Sequence, residues 1–176
     1  MVRAAMFGRD PLADPETLIP RVYAYVAYRI GHGPDAEDVT SDTFERALRY
    51  RASYDPARGD ALSWLIGIAR RQLAGGATPL QAEIDDGPEL VAPGDMEEDA
   101  IRRLAISAAV ARLSDGDREL IALRYGADLT ARQISMVLEQ RTNTVEVALH
   151  RALGRLRTLL EGGERAELRK STRSGL

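Results

Sequence analysis

The sequence predicts an all-α protein with two small helical domains, joined by a flexible acidic linker, and a helix-turn-helix in the second domain. Apolar residues recur at helical spacing in two separate stretches, and no useful length of chain alternates as a strand does. Between them, residues 75–99 carry eight acidic residues, no basic residue and several glycines and prolines. A chain of 176 residues has room for two such domains.

The first predicted domain, residues 1–74, holds three helices. Glycines and a proline punctuate the gap between the first two, where Asp35 is placed to cap the second helix. Pro56 and Gly59 make residues 54–60 a loop before the third helix. The three apolar faces lie over residues 18–30, 36–48 and 62–73.

The second predicted domain, residues 100–161, has apolar helical segments over 101–113, 120–123, 130–138 and 145–160. The last two form a short helix, a tight turn and a long helix, with Thr142 placed as the cap of the long one. This is the helix-turn-helix arrangement, whose second helix normally enters the DNA major groove. The tail 162–176 is polar, and we expect it to fray.

Composition argues against several classes of protein. Without cysteine the chain has no disulfide, thiolate metal site or cysteine nucleophile, and its two histidines lie far apart. The first ten residues lack the apolar core of a signal peptide, and no apolar run is long enough to cross a bilayer. We therefore expect a soluble cytoplasmic protein that is not an enzyme, binds no metal or cofactor and does not insert into membranes.

Four stretches carry a resemblance to a known family. Residues 35–48, DAEDVTSDTFERAL, closely resemble the signature of bacterial extracytoplasmic-function (group IV) sigma factors of the sigma-70 family. Residues 63–70, SWLIGIAR, look like the helix that follows in that family, and 113–125, LSDGDRELIALRY, resemble the opening of its second domain. LHRA at 149–152 matches a motif near its end. The resemblance implies a promoter-specificity subunit whose partners are core RNA polymerase, promoter DNA and an anti-sigma factor.

An acidic cluster opens the second predicted helix, where carboxylates favour the positive end of the helix dipole. A capped, solvated helix start explains these charges equally well on physical grounds. In sigma factors this helix docks on the clamp of RNA polymerase, so the resemblance makes the cluster a polymerase-binding surface. Its members are Asp35, Glu37, Asp38 and Asp42.

Aromatic residues and arginines alternate around the loop 54–60. Bases stack on aromatic rings while arginine meets phosphate, so this composition suits single-stranded DNA. Packing in the core is the simpler explanation for Phe44 and Trp64, whereas a loop residue has less packing to do. In similar sigma factors this loop captures a flipped base of the promoter −10 element. The resulting −10 set is Arg49, Arg51, Tyr54, Asp55, Arg58, Asp60, Trp64, Arg70 and Arg71.

The start of the last helix is the predicted reader of the −35 element, but it departs from the family pattern. Glu146, Val147 and Ala148 stand where lysine, serine and arginine are usual, and Glu139 replaces the usual glycine before the turn. Glutamate is repelled by phosphate, although it can accept a hydrogen bond from cytosine. The −35 set is Arg132, Arg141, Thr142, Asn143, Thr144, Glu146, Val147, His150 and Arg151.

Three functions therefore stay open at this stage. The leading hypothesis is a sigma factor that directs RNA polymerase to promoters. Because the recognition helix is unusual, a sigma-like protein that titrates an anti-sigma factor or polymerase without reading DNA is the alternative. A free-standing helix-turn-helix regulator would leave the motifs of the first domain unexplained. For the free protein we expect a mobile linker and two domains that fold separately, because residues 75–99 offer little to bury.

Overall fold

The computed structural model of the chain describes residues 10–76 and 96–174, and all regular structure within these ranges is helical. A short 3-10 helix, Arg51–Ser53, follows the second α-helix, and a π-helical turn, Ala122–Gly126, follows the fifth. The seven α-helices are α1 Pro15–Ile30, α2 Pro34–Arg49, α3 Ala61–Gly76, α4 Met96–Ala111, α5 Asp115–Ile121, α6 Ala131–Val137 and α7 Thr142–Ser174. The predicted all-α class is confirmed.

Local sequence explains where the first helices begin. The Asp14 side chain accepts a hydrogen bond from the Thr17 backbone N–H at 3.2 Å and caps α1. In α2 the prediction that Asp35 caps the helix is wrong, because Pro34 takes the first helical position and Gly33 precedes it. Asp35 therefore lies in the first turn of α2, where its charge still favours the helix dipole.

Two helices of the second half begin at polar caps. Ser114 accepts a hydrogen bond from the Asp117 N–H, and Thr130 forms a reciprocal capping box with Gln133 at the start of α6. The boundary between linker and second domain was predicted at residue 100, yet α4 already starts at Met96.

Helix α7 continues through the paired glycines at 162–163 to Ser174, so the predicted polar tail is helical as far as residue 174. A single glycine weakens a helix by only about 1 kcal/mol, and the residues that follow are mostly good helix formers. Within the described residues, the polar tail is therefore an extension of α7.

One apolar core runs through both halves of the molecule. Val22 and Tyr25 of α1 are fully buried in the same cluster as Leu123 of the π-helical turn and Leu129 before α6. Helix α1 lies against the π-helical turn, and α3 packs on α6. Two independent cores were expected, but α1 and α3 each bury apolar surface against the second half. Most of the predicted linker, residues 77–95, lies outside the described residues.

Candidate nucleic-acid interface

The acidic cluster of α2 lies on the outside of the first half. Ala36, Thr40, Thr43 and Ala47 are buried at helical spacing and turn one face of α2 inward. The four predicted polymerase-binding acids, Asp35, Glu37, Asp38 and Asp42, are all exposed. Asp35, Asp38 and Asp42 are separated by three and four residues, so they form one stripe along the helix. We call these three residues the acidic stripe.

The loop 54–60 is closed by its own side chains. Tyr54 donates its hydroxyl hydrogen to the Gly59 carbonyl at 3.2 Å, and its ring centroid lies 5.4 Å from that of Trp64. Asp55 accepts a hydrogen bond from the Ala57 N–H at 3.0 Å. Tyr54 and Trp64 are both half-buried. These contacts give Tyr54 a structural role in shaping the loop, beside the base-stacking role predicted from the sequence.

The predicted arginines around this loop are all exposed. Arg49 pairs with Glu45 at 2.7 Å one helical turn earlier, and Arg51 lies 3.6 Å from Asp10. Exposed ion pairs of this kind contribute little stability, so they leave the guanidinium groups available to phosphate. Arg58 and Arg71 are exposed as well. The arginines that were predicted to approach DNA are thus on the surface.

Sequence reasoning left one exposed aromatic residue out of the −10 set. Tyr50 directly follows α2 and has 58% of its surface exposed, and the nearby Leu48 is 60% exposed. An exposed aromatic ring beside the loop can stack on an unpaired base. Its position could have indicated this exposure. Tyr50 follows the last residue of α2 and precedes the loop, so it does not belong to the apolar face of a helix.

The helix-turn-helix is present as predicted, with α6 and α7 joined by residues 138–141. Glu139 has φ +54°, a left-handed conformation that favours glycine. The turn thus keeps the shape for which glycine is usual, although the glycine is missing. Thr142 is the first residue of α7 rather than its cap, and its hydroxyl donates to Ser135 Oγ of α6 at 3.2 Å.

The first turns of α7 present most of the predicted −35 residues to the outside. Val145, Leu149 and Ala152 are buried at helical spacing and hold this helix on the core. Thr142 is half-buried, whereas the other members of the set are exposed: Arg132, Arg141, Asn143, Thr144, Glu146, Val147, His150 and Arg151. Val147 adds an apolar contact surface, with 52% of its surface exposed.

Two residues of the −10 set contact the second half of the chain. Asp60 accepts a hydrogen bond from the Ser63 N–H at 2.7 Å through Oδ1, while Oδ2 accepts one from Gln133 of α6. Burial alone would raise the pKa of Asp60, but the hydrogen bonds from Ser63 and Gln133 and the charge of Arg21 bring it below its usual value. Arg70 Nε lies 3.2 Å from Glu119 Oε1 of α5.

Glu119 is the centre of a buried polar cluster that the sequence did not reveal. The Tyr25 hydroxyl donates to Glu119 Oε1 at 3.0 Å, and Arg29 forms an ion pair with Oε2. Burial raises the pKa of Tyr25 to about 12, against the lowering effect of Arg29 and Arg70, so the hydroxyl stays protonated at neutral pH. We call Tyr25, Arg29, Arg70 and Glu119 the Glu119 cluster. Its only sequence signal is a glutamate directly before the short apolar run 120–123.

Two kinds of site are absent from the part of the chain that the structure describes. Among residues 10–76 and 96–174, no three histidine or carboxylate side chains group as metal ligands would. Within those same ranges, no helix combines the length and the apolar character that a membrane span requires.

Two known protein families match this chain, one in each half. The family described as Sigma-70 region 2 matches residues 16–74, and the family described as Sigma-70, region 4 matches residues 103–156. The first match covers α1 to α3 up to residue 74, and the second covers most of α4 to α7 as far as residue 156. Together the two matches take in more than half of the chain, in the order in which the motifs occur.

Two curated relatives are similar over most of this chain. The ECF RNA polymerase sigma factor BldN of Streptomyces coelicolor is 30% identical over 167 residues, which are 89% of this chain and 61% of that protein. The ECF RNA polymerase sigma factor SigK of Mycolicibacterium vanbaalenii is 28% identical over 151 residues, 80% of this chain and 76% of that protein. The chain thus spans about three fifths of the length of BldN.

Solved structures share the fold. The sigma factor RpoE of Bartonella quintana, in complex with the anti-sigma factor NepR, superposes with a TM-score of 0.67 at 19% identity over 84% of this chain and 94% of that one. CnrH, in complex with the cytosolic domain of CnrY, gives a TM-score of 0.61 at 22% identity over 85% of this chain and 83% of that one. At these identities the likeness concerns the helical fold alone.

Proposed function

Because this chain belongs to the extracytoplasmic-function sigma factors of the sigma-70 family, we propose that it binds core RNA polymerase and directs it to specific promoters. The main support for this proposal is that both sigma regions occur in order, each with an exposed charged surface. Residues 1–74 form the first functional domain and 100–161 the second. Residues 75–99 connect them, and 162–176 form the polar tail.

The acidic stripe of α2 is the proposed contact with the polymerase. Asp35, Asp38 and Asp42 are exposed on one side of a helix whose other side is anchored in the core, and Glu37 is exposed beside them. A rigid row of carboxylates fits a basic protein surface, and such charge complementarity increases the rate of encounter and fixes the orientation. These acids form no ion pair with each other because they carry the same charge.

The loop 54–60 and the residues around it would engage the melted −10 element. Arg49, Arg51, Arg58 and Arg71 supply exposed charge for the phosphates. Tyr50 offers the more accessible ring for stacking on a base, while Tyr54, Asp55 and Trp64 keep the loop in shape. Asp60 and Arg70 would join this surface once they leave their contacts with the second half.

The start of α7 would read the −35 element as duplex DNA. Arg132, Arg141 and Arg151 would hold the phosphates, and Asn143, Thr144 and His150 can donate or accept hydrogen bonds at base edges. Glu146 is exposed on the same turns and can accept a hydrogen bond from a cytosine amino group. Thr142 supports the surface by bonding α6, and Val147 adds an apolar contact.

A protein with this role acts as a transcription regulator without an enzymatic activity of its own, and it works in the cytoplasm beside the polymerase. One structural neighbour, the sigma factor RpoE, is in complex with the anti-sigma factor NepR, and another, CnrH, is in complex with the cytosolic domain of CnrY. We propose that this chain, too, is held by an anti-sigma factor. No cysteine is present, so redox sensing through a thiol must belong to such a partner.

The experiment is capture of purified core polymerase by the full chain, followed by run-off transcription on genomic fragments. Asp38→Arg and Asp42→Arg should each weaken polymerase capture, because they place positive charge in the acidic stripe. Glu16→Arg reverses an exposed acid in the first turn of α1, away from the stripe, and should leave capture unchanged.

Two outcomes would contradict the proposal. Failure of the unmodified chain to bind core polymerase would exclude a sigma factor. Capture of polymerase without transcription from any fragment would instead favour the sigma-like protein that titrates its partners without reading DNA.

A further inference from the structure

Val147 is an exposed apolar residue near the start of α7. It has 52% of its surface exposed, whereas Val145, two residues earlier, is fully buried. Residues two apart in an α-helix point to nearly opposite sides, because each residue turns the helix by about 100°. Val145 therefore anchors α7 in the core, while Val147 faces outward. A single exposed valine is ordinary on a protein surface, so its neighbours decide what it can contact.

Polar residues that can bind base edges flank Val147 on the same side of α7. Asn143 lies four residues earlier and His150 three residues later, so the three side chains form one row along the helix. All three are exposed, and we call them the reading row. Arg151 is exposed beside this row and suits a phosphate. Val147 thus occupies the middle of a surface that is otherwise suited to DNA.

The chemistry of the major groove narrows what Val147 can contact. Every base pair presents hydrogen-bonding groups there, whereas the apolar group of the groove is the C5 methyl of thymine. A valine side chain forms no hydrogen bonds, so against a polar base edge it would displace water without replacing the lost bonds, which is unfavourable. Against a thymine methyl it removes apolar surface of both partners from water, which is favourable.

Side-chain contacts fix α7 on the two helices that support it. The Thr142 hydroxyl donates to Ser135 Oγ of α6 at 3.2 Å. Arg155 donates from Nε and Nη2 to the two carboxylate oxygens of Asp117 on α5, at 2.6 and 2.5 Å. These hydrogen bonds from Arg155 hold the pKa of Asp117 below its usual value, so the pair persists at neutral pH. Because valine in a helix also has one strongly preferred rotamer, the methyl groups of Val147 are held in a fixed position.

We propose that Val147 is a specificity-determining residue, which packs on the C5 methyl of a thymine and so selects a T·A pair at one position of the −35 element. Serine is usual at this position in the family and can bond to several base edges, but it offers no methyl group. This chain should therefore require thymine where a relative with serine accepts other bases. The inference rests on the proposed function, because it requires α7 to enter the major groove of promoter DNA.

Selection from random DNA identifies the base pair that faces Val147. Core polymerase reconstituted with the full chain selects duplexes from a randomised pool, and the enriched sequences are compared with those selected by the Val147→Ser holoenzyme. We expect both to enrich the same element except at one upstream position, where only the unmodified chain enriches T·A. That position identifies the thymine in contact with Val147.

Replacing this thymine by uracil tests the contact itself, because uracil pairs as thymine does and lacks only the methyl group. In a synthetic promoter of the enriched sequence, the change should weaken binding of the unmodified holoenzyme about fourfold, as expected for one methyl-sized apolar group. Val147→Ser should lose about as much on the thymine promoter and nothing further on the uracil promoter. A C·G pair at that position should regain part of the binding when its cytosine carries a 5-methyl group.

Two further variants separate this contact from a general effect on folding or binding. Val147→Thr keeps one of the two methyl groups and should retain part of the discrimination between thymine and uracil. Leu104→Ala is the matched control, since it shortens an exposed apolar side chain of α4 in the same half, and it should leave the discrimination unchanged. Circular dichroism checks that each variant keeps its helices. The salt dependence of binding should be the same for all of them, because none changes a charge.

Equal binding of the thymine and uracil promoters by the unmodified holoenzyme would overturn the inference. Additive losses from uracil and Val147→Ser, or an identical enriched element for both holoenzymes, would overturn it as well. Failure of the unmodified holoenzyme to enrich any sequence would instead contradict the proposed function, on which the inference depends.

Discussion

The start of α7 and the loop 54–60 are both proposed to read DNA, yet their polar side chains are used differently. On α7 the apolar residues Val145 and Leu149 secure the helix, and the polar residues face outward. In the loop, the side chains of Tyr54 and Asp55 form hydrogen bonds with the backbone of the loop itself. A polar residue on a helix surface is therefore easier to assign to a ligand than a polar residue in a loop, which has its own backbone groups to satisfy.

The two halves can also be compared as folding units. Substitutions in their core should have the largest effect of those proposed, a loss of stability. Ile66 of α3 and Ile134 of α6 are both fully buried, one in each half. Replacing either by alanine should lower the free energy of unfolding by about 2–5 kcal/mol through lost burial and a cavity. Because the two belong to one core, thermal unfolding followed by calorimetry should show a single transition that either substitution shifts.

Exposed positions provide the control for that measurement. Replacing Arg46 or Arg157 by alanine should leave the transition nearly in place, because both side chains are exposed. Two separate transitions, of which Ile66→Ala shifts one and Ile134→Ala the other, would show that the halves fold independently. That outcome would restore the expectation drawn from the sequence.

A smaller effect should distinguish Tyr50 from Tyr54 as the aromatic residue that meets unpaired bases. Tyr50→Ala should reduce open-complex stability by about 1–3 kcal/mol if its exposed ring stacks on a base, and Tyr50→Phe should keep most of that stability. Tyr54→Phe removes the hydrogen bond to Gly59 but keeps the ring against Trp64. The lifetime of complexes challenged with heparin is the measurement. Equal losses from Tyr50→Ala and Tyr50→Phe would rule out stacking.

The sequence predicted those features that depend on interactions between residues close together in the chain. Apolar spacing predicted the helices around Val22, Ile66 and Ile134, because a helix is defined by contacts three and four residues apart. The exposed start of α7 followed from the same rule. By contrast, Asp35 does not cap α2 as predicted, because Pro34 takes the first helical position and Gly33 becomes the cap. Composition alone does not show which of these neighbouring residues begins the helix.

The junction between the halves could not be predicted in this way. Glu119 meets Tyr25 across 94 residues of chain, and Gly126 is required by the backbone of a distant helix. Neither partner changes the local periodicity of the other. A glutamate beside the apolar run 120–123 needs a counter-charge if it is buried, but only the tertiary structure shows that the other half supplies it.

At the −35 surface, the unusual Glu146 should have a modest and measurable effect. Glu146→Lys should strengthen binding to duplex DNA in general and steepen its salt dependence by about 0.9 in log–log slope for each added phosphate contact. Glu161→Lys, which changes an exposed acid farther along α7, is the control and should alter binding less. Titrations at several salt concentrations provide the slopes. A selective loss at promoters with one particular base would show that Glu146 reads that base.

The smallest expected effect concerns the turn between α6 and α7. Glu139→Gly should stabilise the folded chain by up to about 1 kcal/mol, because glycine adopts φ +54° without steric cost, although its freer unfolded state offsets part of the gain. Glu139→Ala keeps the steric cost and should give no such gain. Chemical denaturation compares the two. A destabilised glycine variant would mean that the glutamate side chain contributes a contact of its own.

The most direct test of the central claim is to map the 5′ ends of transcripts made on genomic DNA by core polymerase reconstituted with this chain. The account predicts a discrete set of start sites that core polymerase alone does not use, with shared sequence elements upstream. Arg151→Ala should lower the yield at these sites without moving them, since a phosphate contact positions the protein but reads no base. Start sites identical to those of core polymerase alone would contradict the account.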